Sequence, residues 1–172
     1  MQDLGKLIRD VPNFPIEGIL FKDITTLLRD PQAFRQAIDG LGAHYAGQQI
    51  DRVVAIESRG FIIGAPLAYK LGAGLVPVRK PGKLPAQTIS VEYSLEYGTN
   101  TLEMHLDAIE PGQRVLIVDD LLATGGSAKA AIDLVERLGG VVVGLAFLVE
   151  LKFLRGVERL KGYDVFSLIQ YD

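Results

Sequence analysis

Short apolar runs alternate along this chain with longer stretches whose apolar positions recur at helical spacing. Residues 53–56, 75–78, 115–118 and 141–149 are nearly continuous in Val, Ile, Leu, Ala and Phe, the pattern of strands buried on both faces of a parallel sheet. Pro77 weakens the second of these, since it withholds one ladder donor. Phe34, Ala37, Ile38 and Leu41 repeat at helical spacing behind Asp30-Pro31, an N-cap acid followed by proline at the first helical position. Residues 61–71 predict a second helix, kinked at Pro66 and stopped by Gly72. Ala128, Ala131, Ile132, Val135 and Leu138 form the stripe of a third, ended by Gly139 and Gly140. This alternation predicts an α/β fold with a doubly wound parallel sheet. No internal repeat or linker interrupts it.

Two regions fall outside the alternation. In residues 1–30, Pro12, Pro15 and Gly18 precede the apolar Ile19, Leu20 and Phe21, which predicts a small subdomain lying over the sheet. In residues 80–106, Ile89, Val91, Tyr93, Leu95 and Tyr97 alternate with polar residues, and Leu102, Met104 and Leu106 alternate again. That period of two predicts a β-hairpin turning at Gly98, Thr99 and Asn100. Its approach, Lys80-Pro81-Gly82-Lys83-Leu84-Pro85, is rich in proline and glycine, and an arm of this length is commonly a mobile lid.

Composition removes several classes of function. With 172 residues the chain is expected to form one domain. A net charge of −3 without a basic block leaves no electrostatic footprint for nucleic acid. There is no cysteine, so disulfides, thiolate nucleophiles and Cys-type metal sites are out. Only His44 and His105 could supply imidazole, and both read as structural or surface residues. No signal-peptide core and no membrane-length apolar run are visible, so a soluble, cytoplasmic protein without membrane partners is expected.

The chemistry concentrates in residues 115–127. Asp119 and Asp120 follow the apolar run at the C-terminal end of its strand, where open α/β sheets place ligands. Ala123, Thr124, Gly125, Gly126 and Ser127 then open onto the third helix. Small residues let backbone N–H groups close on an anion, and the helix N-terminus adds favourable partial charge. Carboxylates suit hydroxyls or a metal and the loop suits a phosphate, so one strand-loop-helix unit serves both ends of a sugar phosphate. A side chain at Gly125 is expected to fill the phosphate's space and to disfavour a positive φ there. The plain alternative is a tight βα turn whose aspartates only cap the helix. Glu57, Ser58, Arg59 and Gly60 form a second polar turn between strand and helix, where arginine could pair bidentately with phosphate; alone it could equally be an ordinary surface turn. Arg79, Lys80 and Lys83 are a basic cluster at the root of the hairpin, usually a solvated face. On residue physics alone Glu96 is one more surface glutamate on a hairpin, and Phe21 and Leu151 could be core residues.

The string from Val115 to Ser127 closely resembles the phosphoribosyl-pyrophosphate (PRPP) motif of the type I phosphoribosyltransferases: a hydrophobic strand, two acids, then a Thr-Gly-Gly-Ser loop. Tyr93-Ser94-Leu95-Glu96-Tyr97-Gly98 resembles the catalytic loop of that family's adenine-using members. So do Phe14-Pro15, Gly18 and the run from Ile19 to Ile24 their base-binding hood, and Leu148-Val149-Glu150-Leu151 the segment that packs on the base. The likeness runs from Val11 to Tyr171. It implies a type I fold with a hood over residues 1–30 and a lid over 80–106, and transfer of phosphoribosyl from PRPP to adenine, giving AMP and pyrophosphate. It further implies Asp119 and Asp120 on the ribose, with Glu96 facing N7 of the purine. Ala123, Thr124, Gly125, Gly126 and Ser127 would take the 5′-phosphate, and Ser58, Arg59, Arg79, Lys80 and Lys83 the pyrophosphate. Leu20, Phe21, Lys22 and Leu151 would contact adenine, Phe21 and Leu151 on the two ring faces. Mg²⁺ is implied, held mainly by substrate oxygens, with Asp119 or Asp120 as a protein ligand. The lid cations of such enzymes often reach a neighbouring subunit, which implies a homodimer. Rival readings are a transferase for another base, a PRPP-sensing regulator without activity, and a magnesium-dependent phosphohydrolase using the Asp pair.

Overall fold

The computed structural model describes residues 1–95 and 97–172. Glu96 lies outside the described residues. The chain divides into two compact units, Met1–Gly40 and Leu41–Asp172.

In the first unit, β1 (Arg9–Pro12) and β2 (Leu20–Asp23) pair as an antiparallel hairpin with Val11 opposite Phe21. Phe14 meets Phe21 edge to face, with centroids 5.1 Å apart. A short helix, α1 (Thr25–Leu28), follows. α2 (Pro31–Tyr45) starts where its cap signal stands: the Asp30 carboxylate accepts the Gln32 and Ala33 amides at 2.9 and 3.0 Å.

The second unit is built on β3 (Arg52–Ile56), α3 (Arg59–Leu71), β4 (Gly74–Val78), β5 (Thr88–Ser94), β6 (Thr99–His105), β7 (Arg114–Leu122), α4 (Gly126–Arg137), β8 (Val141–Leu151) and β9 (Val165–Tyr171). Five strands form a parallel sheet in the order β4-β3-β7-β8-β9. From β3 the chain passes through α3 to the left-hand neighbour. From β7 it passes through α4 to the right. Right-handed crossovers in opposite directions put the two helices on opposite faces, the doubly wound arrangement. The winding reverses between β3 and β7, and in open α/β sheets the carboxyl ends of the strands at such a reversal are where ligands bind. Val54, Ile56, Ile117, Leu145 and Phe147 are fully buried with Ile132 and Val135 of α4.

Several boundaries differ from the sequence expectation, each for a local reason. β7 does not stop at Val118: ladder pairing with β8 carries it through both aspartates to Leu122. α3 begins at Arg59, and Pro66 sits inside it without ending it. Gly72 closes it in the left-handed region at φ 69°. Pro77 is accommodated because β4 is an edge strand. The hairpin turns earlier than expected. Ser94 already faces Thr99, and the Leu95 amide donates to the Gly98 carbonyl at 2.8 Å, so the ladder closes at this pair and Thr99 opens a strand. The hairpin's body is not free of the domain: Val91, Leu102 and Met104 are buried in the core. β9 carries no clean period in its sequence and is defined by pairing with β8.

Candidate active site

The reversal between β3 and β7 gathers the two polar turns that the sequence separates by some sixty positions. β7 delivers Asp119 and Asp120, both buried, and the turn after β3 delivers Arg59. Arg59 Nε donates to Asp120 Oδ2 at 2.7 Å, a charge-assisted pair with the arginine half exposed. Gly60 lies against the other aspartate: a Cβ there would stand 2.9 Å from Asp119 Oδ1 and 3.3 Å from the Val118 carbonyl oxygen. Glycine here lets the start of α3 pack closely on β7 without displacing the Asp119 carboxylate.

The two carboxylates are not equivalent. Asp119 Oδ1 accepts the Asp120 amide at 2.8 Å. Burial, and then the charge of Asp120 beside it, pushes the Asp119 pKa well above the ordinary carboxylate range. Asp120 is the member of the pair held against a cation.

Beyond β7, residues 121–128 line a cleft of about 650 Å³ together with Tyr93, Phe147 and Arg159, within the roughly 300–1,000 Å³ usual for small-molecule sites. All five loop residues, Ala123, Thr124, Gly125, Gly126 and Ser127, line it. Gly125 occupies the N-cap of α4 with φ 87° and no capping side-chain hydrogen bond. The helix therefore presents its first amides and positive end to the cleft. The positive φ expected of Gly125 is present, and backbone packing adds a second requirement for glycine. A Cβ there would meet the Gly156 carbonyl oxygen at 2.6 Å, and a Cβ on Gly156 would meet the Ala123 carbonyl oxygen at 2.3 Å. The loop is thus seated on the 3₁₀ turn Gly156–Leu160 by backbone contact.

The basic cluster is organised by a residue that the sequence pattern left without a role. Glu57 Oε2 accepts Lys83 Nζ at 2.6 Å, and Oε1 accepts Arg79 Nε and the Lys80 amide, each at 3.1 Å. Burial alone would raise its pKa, but these three donors bring it down to about 2. Arg79 also lies 5.9 Å from the Phe61 ring centroid. Ser58 sits at the N-cap position of α3, exposed.

Leu151 ends β8, half-buried at the carboxyl edge of the sheet. Leu20, Phe21 and Lys22 belong to β2 in the first unit, where Leu20 is exposed and Lys22 pairs with Asp10. His44 stacks on Phe166 at 3.9 Å, and His105 accepts the Ala86 amide at 3.4 Å. Nothing in the periodicity marked Arg159 or Gly156; only the close approach of the turn to the loop brings them to the cleft.

Among the described residues, no three His, Asp or Glu side chains converge on one point. Two adjacent carboxylates, one held by Arg59, suit an ion that arrives on substrate phosphates and keeps much of its water, as magnesium does. No helix among the described residues is long and apolar enough to cross a membrane.

Comparison with known proteins agrees with this geometry. The phosphoribosyl transferase domain family matches residues 24–171. The chain is 65% identical to the adenine phosphoribosyltransferase of Chloroflexus aurantiacus, over 99% of this chain and 98% of that one. The crystal structure of the Thermoanaerobacter pseudethanolicus adenine phosphoribosyltransferase superposes with a TM-score of 0.96 at 56% identity, covering 98% of each chain. The Saccharomyces cerevisiae enzyme, solved with adenine and an imino-altritol bisphosphate, superposes at 0.91 with 44% identity over 97% of each chain. The chain belongs to the phosphoribosyltransferase family and, within it, to the adenine phosphoribosyltransferases.

Proposed function

We propose that this enzyme joins adenine to the ribose of PRPP, releasing pyrophosphate and forming AMP. The observation that carries the reading is the single β7-loop-α4 unit, which carries a carboxylate pair near the end of its strand and, directly after it, a glycine loop and an uncapped helix N-terminus on the cleft. A ribose 5-phosphate has hydroxyls for the first and a phosphate for the second. A phosphohydrolase would need the carboxylates but not the seated glycine loop.

N9 of adenine attacks C1 of the ribose as the bond to pyrophosphate breaks, through a transition state with positive charge on the sugar. Asp120 holds the ribose hydroxyls and offsets that charge, while the buried Asp119 supports the strand end beneath it. Amides of residues 123–127 hold the 5′-phosphate. Ser58, Arg59, Arg79, Lys80 and Lys83 receive the pyrophosphate, and Lys83 and Arg79 exchange Glu57 for its oxygens. Mg²⁺ bound to PRPP, with Asp119 or Asp120 in reach, would neutralise part of the leaving group's charge. Leu20, Phe21, Lys22 and Leu151 select and stack the base. Glu96 exchanges the N7 proton, and Glu96→Gln is expected to lower turnover about 10²–10⁴-fold with PRPP binding little changed. The enzyme works as a cytoplasmic homodimer, with residues 1–30 as hood and the hairpin of residues 80–106 as lid.

The direct test offers PRPP, Mg²⁺ and each nucleobase in turn to the purified protein and follows AMP and pyrophosphate. Equimolar AMP and pyrophosphate from adenine are expected. Pyrophosphate release without nucleotide would favour a hydrolase.

A further inference from the structure

We infer that Arg159 is the cation that binds the 5′-phosphate of PRPP and of AMP. The inference rests on the phosphoribosyl reading and assigns a residue that neither the motif nor the family likeness points to.

A phosphate monoester carries about −1.5 to −2 charge at neutral pH, whereas a helix N-terminus offers roughly half a positive charge. Residues 123–127 contain no Lys or Arg. Lys129, the next cation along α4, is taken by Asp133 at 2.7 Å. The loop alone therefore leaves most of the phosphate's charge unanswered. Among the described residues lining the cleft, Arg159 is the one cation.

Its position fits that task. The turn that carries it is seated on the phosphate loop through Gly156. A Cβ on Gly125 would lie 3.4 Å from Arg159 Cβ, and a Cβ on Gly126 would lie 3.3 Å from Nη1. The arginine stem thus runs along the loop, and its guanidinium stands at the first residue of α4. Arg155, four residues earlier, is paired with Glu158. Among the described residues Arg159 has no such carboxylate partner, so its planar fork is available to two phosphate oxygens.

The 5′-phosphate is unchanged by the reaction. A contact to it is made equally in substrate, transition state and product, so its loss should raise KM for PRPP and leave kcat nearly alone. That signature separates Arg159 from Asp120, whose contribution grows as charge develops on the ribose.

The experiment titrates wild type, Arg159→Gln, Arg159→Lys and Arg155→Gln with ribose 5-phosphate, AMP and adenosine by calorimetry, with steady-state kinetics alongside. Arg159→Gln should weaken ribose 5-phosphate and AMP about tenfold or more, leave adenosine unchanged, and keep kcat within about twofold. Arg159→Lys should recover part of the loss, and Arg155→Gln should behave as wild type. In wild type, AMP affinity should rise as pH increases through about 6, where the phosphate takes its second charge, and Arg159→Gln should flatten that rise. Unchanged ribose 5-phosphate affinity in Arg159→Gln would overturn the inference, as would equal losses for AMP and adenosine or an equal loss in Arg155→Gln. A folded wild type that ignores ribose 5-phosphate altogether would instead overturn the phosphoribosyl reading.

Discussion

Asp119 and Asp120 are identical in chemistry and adjacent in sequence, yet the fold gives them different electrostatic work. Asp120 faces Arg59, while Asp119 is enclosed beneath Gly60 with its pKa pushed up by burial and by its neighbour. A carboxyl whose folded pKa is raised gives its full stability below the ordinary value and loses it as pH rises through the raised one. Asp119→Asn, which can still accept the Asp120 amide, should therefore melt higher than wild type at pH 8 and no higher near pH 3.5. Each kcal/mol should appear as about 2–4 °C in a chain of this size. Asp120→Asn should instead lower turnover by roughly 10²-fold or more with little gain in melting temperature. Identical pH–melting profiles for the two variants would contradict this division. Gly156→Ala gives a second residue-scale test: its Cβ would collide with the Ala123 carbonyl, so PRPP affinity should fall about tenfold or more as the loop shifts. Unchanged affinity, read by calorimetry, would show that the seating is unimportant. The acidic pair and the glycines were legible as a local string. Their inequality was not, because it depends on burial beneath Gly60 and on the Arg59 pair, both brought in from the start of α3.

At the scale of elements, the turn after β3 and the root of the hairpin are joined through Glu57. Its three donors hold its pKa at about 2 against an ordinary 4.5, so the stability it gives is present above 4.5 and lost as pH falls through about 2. Glu57→Gln should remove on the order of 2 kcal/mol at neutral pH and flatten the acid limb of a stability–pH curve between those values. A parallel curve, shifted but unflattened, would mean that the ion pairs contribute little. Helices and central strands were legible because their apolar periods are long and their caps explicit, as at Asp30 and Gly72. The hairpin turn was displaced because Leu95 and Tyr97 continue the alternation in sequence, while the ladder already closes at Ser94 and Thr99. β9 was missed for the complementary reason: it is specified by its neighbour β8 rather than by its own pattern.

Across the whole molecule, alternation of strand and helix announced the doubly wound sheet, but not the order of its strands. That order, with its reversal between β3 and β7, turns two separate motifs into one site, and no periodicity within a single segment encodes it. The first unit, Met1–Gly40, carries the residues proposed to read the base, and before its helix the residue pattern signalled only turns and an apolar run, so that role came from family likeness alone. Base selection therefore tests the proposed base-reading residues and the proposed chemistry in one property. Adenine offers an amino donor at C6 and an acceptor at N1, and hypoxanthine reverses both; a site whose polar groups are fixed toward one leaves them unpaired against the other. The most direct measurement is the PRPP-dependent kcat/KM for adenine and for hypoxanthine on the same preparation. The account predicts AMP formation with adenine favoured by roughly 10⁴-fold or more; equal use of the two bases, or no nucleotide from either, would contradict it.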